Sequence, residues 1–389
     1  MPVINSIVDR AAEITEWRRD LHAHPELGFE VHRTAGVVAE KLRAFGCDEV
    51  VTGIGRTGVV GVIKGRATSS GKVVGMRADM DALPIIEARD IPHKSTIHGQ
   101  MHACGHDGHT AMLLGAAQHL AETRNFDGTV VVIFQPAEEG GGGGREMVND
   151  GMMDRFGIQQ VYGMHNYPGL PVGQFAIRPG PLMAAADTFH VRVEGLGGHA
   201  AKPHQCIDTT LVAATILQGF QSIAARNVDP LENAVVSTTS FDTGPWSHNV
   251  IPQVVNLTGT ARTLTAENRD LVEQRLGLLV ENIARAFGAK AELDYRRDYP
   301  VTVNDEGAAA FAADVAEEVA GAGLVNRNTA PVMGGEDFSF MLNERPGAMI
   351  WVGNGDTAGV HHPDYDFSDA AIPVGSSYWV RLAETAMPG

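Results

Sequence analysis

The sequence predicts an α/β protein in which a main body with helices on both faces of its sheet is interrupted by an inserted α+β unit, and three observations predict it. Residues 128–134 form an apolar run ending in Val130, Val131, Val132, Ile133 and Phe134, the composition of a strand buried on both faces. Between about residues 182 and 299, alternating strand-like stretches and two long helical patterns read as a compact unit with antiparallel strands. Metal-type residues cluster before and after that middle stretch and are sparse within it. The division that follows places residues 1–181 and 300–389 in the main body and 182–299 in the insertion. A chain of 389 residues also exceeds what one hydrophobic core usually supports.

In chain order, Ile7, Ala11, Ile14, Trp17 and Leu21 fall on one helical stripe, and Val37, Val38, Leu42 and Phe45 on a second that ends at Gly46. Residues 22–28 between them read as a polar turn. Residues 59–64 and 72–76 read as strands, the second running into Asp79-Met80-Asp81. Alternation puts both carboxylates on one side of the strand end, and the carboxyl ends of strands are where α/β sheets build sites. Residues 101–110 then carry Cys104, three histidines and Asp107 ahead of a helical pattern (Ala111, Leu113, Leu114, Ala117, Leu120). In a helix Cys104 and His106 would diverge, so their spacing predicts an extended loop that turns both toward one ion. The apolar run ends in Glu138-Glu139, an adjacent acid pair that is costly at a buried strand mouth unless neutralised. Gly140 to Gly144 lacks the Lys-Ser/Thr of a phosphate loop and reads as a flexible strap. Residues 161–166 form a third strand end, which delivers His165.

The insertion starts with alternation over residues 189–194, then a glycine-rich loop carrying His199, where backbone can approach a ligand closely. A helix over 208–225, strands over 234–240 and 254–262, a helix over 266–287 and a strand over 290–295 follow. Ligand-type residues return at Glu336-Asp337 and His361-His362.

Composition narrows the function classes. Lys plus Arg total 30 against 47 Asp plus Glu, a formal charge of -17, and no basic stretch could track a phosphate backbone, so nucleic acid is not an expected partner. Three scattered cysteines and an N-terminus without a leader pattern predict a soluble cytoplasmic protein. With no apolar run of about twenty residues, no membrane association is expected. The strand ends offer Asp79, Asp81, Cys104, His106, Glu138, Glu139, His165 and one of His361 or His362, more ligands than one four-coordinate ion uses. Two metal ions explain the surplus. Such a centre activates water, polarises a carbonyl and needs a spare carboxylate to take the proton, which fits amide hydrolysis. The rivals are a dipeptidase or carboxypeptidase, and a metal-dependent binding protein without catalysis.

Arg77 to Pro84, Met101 to His109, Gln135 to Glu139, Gly163 to Asn166, Gly197 to His204, Asn249 to Pro252, Gly334 to Phe338 and His361 to Pro363 occur in the order of a known family. Together they resemble the hippurate hydrolase branch of the aminoacylase and carboxypeptidase G metallohydrolase superfamily. The resemblance implies a metallopeptidase-like catalytic domain, with the insertion as a lid and dimerisation domain that makes a homodimer or homotetramer. It implies a small N-acyl amino acid as substrate and two divalent ions held by Cys104, His106, Glu139, His165 and His361. Glu138 matches the general base, and Asp81 an acid that orients a ligand histidine. His199 matches a lid histidine that stabilises the oxyanion in a partner's site. Asn249 matches a substrate-facing residue, and Arg262 a candidate for the substrate carboxylate, with an ordinary cross-sheet pairing as its alternative. Sister branches read His-x-Asp where this chain reads Asp79-Met80-Asp81, and here Cys104 serves as ligand instead. A thiolate favours zinc, while the carboxylates and imidazoles also suit manganese, cobalt or nickel.

Overall fold

The computed structural model describes residues 3–389 and divides into two compact units, one from the chain up to Leu182 with Val303–Ala330 and Asp337–Gly389, the other from Met183–Thr302 with Pro331–Glu336. The first unit opens with α1 (Asn5–Asp9) and α2 (Ala11–Ala23), so the single predicted stripe is broken at Arg10, whose φ of -99° and ψ of 1° leave the helical region. Helix α3 (His32–Ala44) buries Val38, Ala39 and Leu42 at helical spacing. Strands β1 (Glu49–Ile54), β2 (Gly58–Lys64) and β3 (Val73–Asp79), helix α4 (His106–Thr123), strand β4 (Thr129–Gln135), helix α5 (Gly143–Asn149) and strand β5 (Gln160–Tyr167) follow.

The second unit is a four-stranded antiparallel sheet of β6 (Ala185–Glu194), β7 (Ala234–Asp242), β8 (Val254–Thr263) and β9 (Lys290–Tyr299), in the order β7-β8-β6-β9. Helices α6 (Thr209–Arg226) and α7 (Ala266–Ala286) supply its other layer. Strict alternation of buried and less buried residues along β8 is what a sheet covered on one face requires. Phe189, Val191, Val193, Val255 and Leu257 meet Val212, Ile216, Phe220, Val272 and Leu276 in one core, each side chain contributing roughly 1.5–3 kcal/mol by leaving water. Both helices start on side-chain caps. Asp208 accepts from the amides of Thr210 and Leu211, and Thr265 from that of Asn268.

On its return the chain adds α8 (Glu306–Ala320), β10 (Gly347–Gly353) and α9 (Ile372–Ala386) to the first unit. The eight-stranded sheet there runs β1-β2-β4-β3-β5-β10, then Phe175–Ala176 and Val325–Asn326. It is mixed: β1, β2 and β4 pair antiparallel, whereas β4, β3, β5 and β10 run parallel. Helices cover both faces. A Cβ at Gly61 would meet Leu42 of α3, while one at Gly58, on the opposite face, would meet Met147 of α5. The parallel block brings the carboxyl ends of β4, β3 and β5 side by side, Asp79 opposite Gln135 and Arg77 opposite Gly163. No helix among the described residues is long and apolar enough to cross a membrane.

Candidate metal centre

The strand ends deliver their acids with little slack. After β4, Pro136 and Ala137 turn the chain, Ala137 with a left-handed φ of 53°, and Glu138 and Glu139 follow. Asp81, two residues past β3, grips this turn. Its Oδ1 accepts the Glu138 amide at 3.0 Å and its Oδ2 the Glu139 amide at 3.1 Å. The same Oδ1 lies 3.4 Å from Nδ1 of His106, which turns the Nε2 edge of that ring toward Glu139, 4.0 Å away.

Cys104 and His106 reach the site by a different route from the extended loop expected. Gly105 between them has a φ of 92°, and His106 is already the first residue of α4. The left-handed glycine turns both side chains the same way. A Cβ there would lie 2.4 Å from both Asn166 Nδ2 and the Tyr365 hydroxyl, so no other residue fits. His165, two residues before the end of β5, has a fixed tautomer: its Nδ1 donates to the Asn166 carbonyl at 2.7 Å, which leaves the Nε2 lone pair facing Cys104 Sγ, 3.4 Å away. His361, with a left-handed φ of 66°, brings Nε2 to 3.1 Å from Glu139 Oε1. His362 instead accepts the Asp364 amide at 3.1 Å.

Ligand atoms of Cys104, His106 and His165 lie within 4.8 Å of one another, as do those of Cys104, Glu139 and His361 and those of His106, Glu138 and Glu139. Shared members join the three sets into one cluster. Nε2 of His106 and Oε1 of Glu139 are buried without a hydrogen bond and lie 4.0 Å apart, while Nδ1 of His106 faces Asp81. Donor atoms that converge on a common space without pairing are what a metal ion satisfies, and five soft and hard ligands with a surplus of carboxylates fit two divalent ions.

The electrostatics agree with that fit. Burial opposes charge on His106, but the carboxylates of Asp79, Asp81 and Glu139 outweigh it and lift the imidazole to about 10. Burial, followed by the charges of Glu139 and Glu138, drives the Cys104 thiol up. Burial raises Asp79, yet Arg77, His106 and His109 hold it well below the usual carboxylate range. A site that raises a thiol and an imidazole in this way has an excess of negative charge that a cation would neutralise.

Two further expectations are corrected here. Gly143 and Gly144 are helical rather than part of a flexible strap, and a Cβ on Gly143 would lie 1.7 Å from the Pro136 carbonyl. His22 belongs to α2 rather than to a polar turn, and its buried ring lies 2.9 Å from Asp107 and 3.2 Å from Glu87. Asp337 accepts from Arg77, Gln135 and the Gly144 amide, so it braces the helix start. Sequence reasoning missed Arg77, His109, Asn166 and Tyr365; a charged residue inside an apolar strand was the available signal for Arg77.

The remaining candidates lie in the second unit. His199 is exposed and opposite Val250 in a two-residue ribbon, its Nδ1 accepting the Ala201 amide at 3.1 Å. Asn249 sits at the foot of the same ribbon, its carbonyl accepting the Ala200 amide at 2.9 Å. Arg262, half-buried on β8, hydrogen-bonds only to Thr260 and to the Ala261 carbonyl among the described residues, and forms no cross-sheet ion pair there.

Residues 75–385 match the profile of peptidase family M20/M25/M40. The chain is 39% identical over 383 residues to a hippurate hydrolase of Campylobacter jejuni, covering 98% of this chain and 99% of that one. It is 40% identical over 367 residues to an N-acetylcysteine deacetylase of Bacillus subtilis, 94% of each chain. Among solved structures it resembles the YXEP protein of Bacillus subtilis, described as a dinuclear metal binding peptidase from the M20 family, with a TM-score of 0.85, 35% identity and coverage of 98% of this chain and 99% of that one.

Proposed function

The chain belongs to peptidase family M20/M25/M40 and is a metal-dependent amide hydrolase, and from that premise we propose that it cleaves N-acyl or N-aroyl amino acids to a carboxylic acid and a free amino acid. The observation that carries the reading is the glutamate pair. Glu139 stands among the apparent ligands, while Glu138, its amide fixed on Asp81, stands beside them as a second carboxylate.

Two divalent ions held by Cys104, His106, Glu139, His165 and His361, zinc or manganese with cobalt or nickel as alternatives, would acidify water and polarise the amide carbonyl. Glu138 takes the proton of the attacking water and returns it to the leaving nitrogen. Asp81 keeps His106 in one orientation and the glutamate turn in one register. His199 donates to the oxyanion, in a homodimer or homotetramer to that of the partner's substrate. Asn249 faces the substrate, and Arg262, whose guanidinium makes few bonds of its own, receives the substrate carboxylate.

The description of the YXEP protein as a peptidase favours one second reading, a dipeptidase or carboxypeptidase. Amino-acid release from N-acetyl, N-benzoyl and N-indoleacetyl amino acids beside simple dipeptides, with zinc- or manganese-loaded protein, separates the two. Release from the blocked substrates, abolished by chelator, is the expected result; release from dipeptides alone would move the chain to the peptidase reading, and silence with metal bound would leave a binding protein.

A further inference from the structure

Four buried residues behind the apparent ligands are tied to one another in a way that leaves no freedom of direction. Asp79 accepts from Arg77 at 2.8 Å through Oδ2, and its Oδ1 lies 2.6 Å from His109 Nδ1. The Asp79 carboxylate can only accept, so His109 Nδ1 carries the hydrogen. The other ring nitrogen, Nε2, lies 3.0 Å from the Asn166 amide nitrogen, which can only donate, so the remaining lone pair of His109 is spent there. Although the nitrogens of His109 lie close enough to Asp79 and His106 to suggest a further metal position, the ring has nothing left to offer an ion.

Asn166 passes the constraint on. Its Nδ2 donates to the Cys104 carbonyl at 2.6 Å, its Oδ1 accepts from the Tyr365 hydroxyl at 2.7 Å, and its own carbonyl takes the Nδ1 hydrogen of His165. Asn166 therefore holds both Cys104 and His165, 61 residues apart in the chain, and His109 holds Asn166.

We propose that Asp79, His109 and Asn166 form a one-directional hydrogen-bond relay that sets the spacing between Cys104 Sγ and His165 Nε2, with His109 as its positioning residue. The inference rests on Cys104 and His165 as metal ligands. Groups that orient ligands in this way change metal affinity without touching the metal, typically by about 10- to 100-fold.

The test is cobalt titration of the chelator-stripped full-length protein, read by the thiolate-to-cobalt charge-transfer band in the near ultraviolet and by competition with a chelator. His109→Leu removes the bond to Asp79 and those from the main-chain and side-chain amides of Asn166, and is expected to weaken cobalt binding about 10- to 100-fold and to diminish the band. His109→Gln offers one N–H to Asp79 and one carbonyl to the Asn166 amide, so it is expected to restore most of the affinity and the band. Folded His109→Leu protein with wild-type affinity and an unchanged band would overturn the relay, as would a Gln variant no better than the Leu variant. Should His109→Leu fail to fold, Tyr365→Phe decides, since it removes only the hydroxyl bond to Asn166; several-fold faster cobalt release supports the relay and unchanged release overturns it. A wild-type band that is absent, or that survives Cys104→Ser, would instead refute the ligand assignment.

Discussion

Cys104 concentrates the chemical risk of the site in one atom. Its Sγ faces His165 at 3.4 Å and shares ligand distance with His106, Glu139 and His361. Burial and the charges of two glutamates push the thiol up, whereas a metal ligand must be a thiolate, the form that peroxide attacks. Peroxide should therefore inactivate the enzyme in step with oxidation of Cys104, and a reductant should restore activity only at the sulfenic stage. Mass spectrometry of Cys104 beside an activity assay checks this; full activity in metal-loaded protein with that sulfur oxidised would contradict its ligand role. At this scale the sequence offers Asp81, Cys104, His106, Glu138, Glu139, His165 and His361 as candidates because they lie in compact motifs, and the fold brings them together. His109 and Asn166 lie in the same motifs but show no role until the folded chain fixes the direction of each hydrogen bond.

At the scale of elements, the helices that flank the site are pinned by contacts whose strength can be changed one at a time. Helix α5 starts against the Pro136 carbonyl, and Gly143→Ala would put a methyl group 1.7 Å from that oxygen. The variant should lose roughly 1–3 kcal/mol of stability and displace the turn that carries Glu138; unchanged denaturation and turnover would show that the turn has slack. Helix α2 is joined to α4 through His22, which bridges Asp107 and Glu87. Burial lowers the pKa of His22, but the hydrogen bonds of Asp107 and Glu87 outweigh it and lift it to about 9 from an ordinary 6.5. Because the folded value is the higher one, the protonated ring stabilises the fold fully below pH 6.5, and that contribution disappears as pH rises through about 9. Urea denaturation of wild type and His22→Asn across pH 6 to 10 should show a difference of at most about 3 kcal/mol that vanishes at the alkaline end; a pH-independent difference would contradict it. Element types followed hydrophobic period well in the second unit, where one face of the sheet is covered. Strand β1 escaped notice because it is a half-exposed edge with a bulge between Thr52 and Ile54, so its side chains carry no clean alternation. The extended loop expected at Cys104 failed for another reason: Gly105 takes a left-handed φ of 92° in a space closed by Asn166 and Tyr365, which lie far along the chain.

For the whole molecule, the pattern of metal-type residues on either side of an insertion was visible in the sequence, but the short return of Pro331–Glu336 to the second unit was not, since six residues have no periodicity to read. If His199 completes a partner's site, mixing His199→Ala with Glu138→Gln protomers should regenerate up to a quarter of the wild-type sites, because a mixed dimer then holds one site with both functional residues. Turnover after verified subunit exchange checks this, and no recovery would place His199 in its own chain's reaction or outside it. The central claim is that Glu138 moves protons beside a metal centre built by other residues. The most direct measurement is metal content and turnover on the same preparation of Glu138→Gln. The account predicts a metal stoichiometry equal to wild type with amino-acid release reduced about 100- to 10,000-fold; a variant that keeps its metal and hydrolyses at the wild-type rate would contradict it.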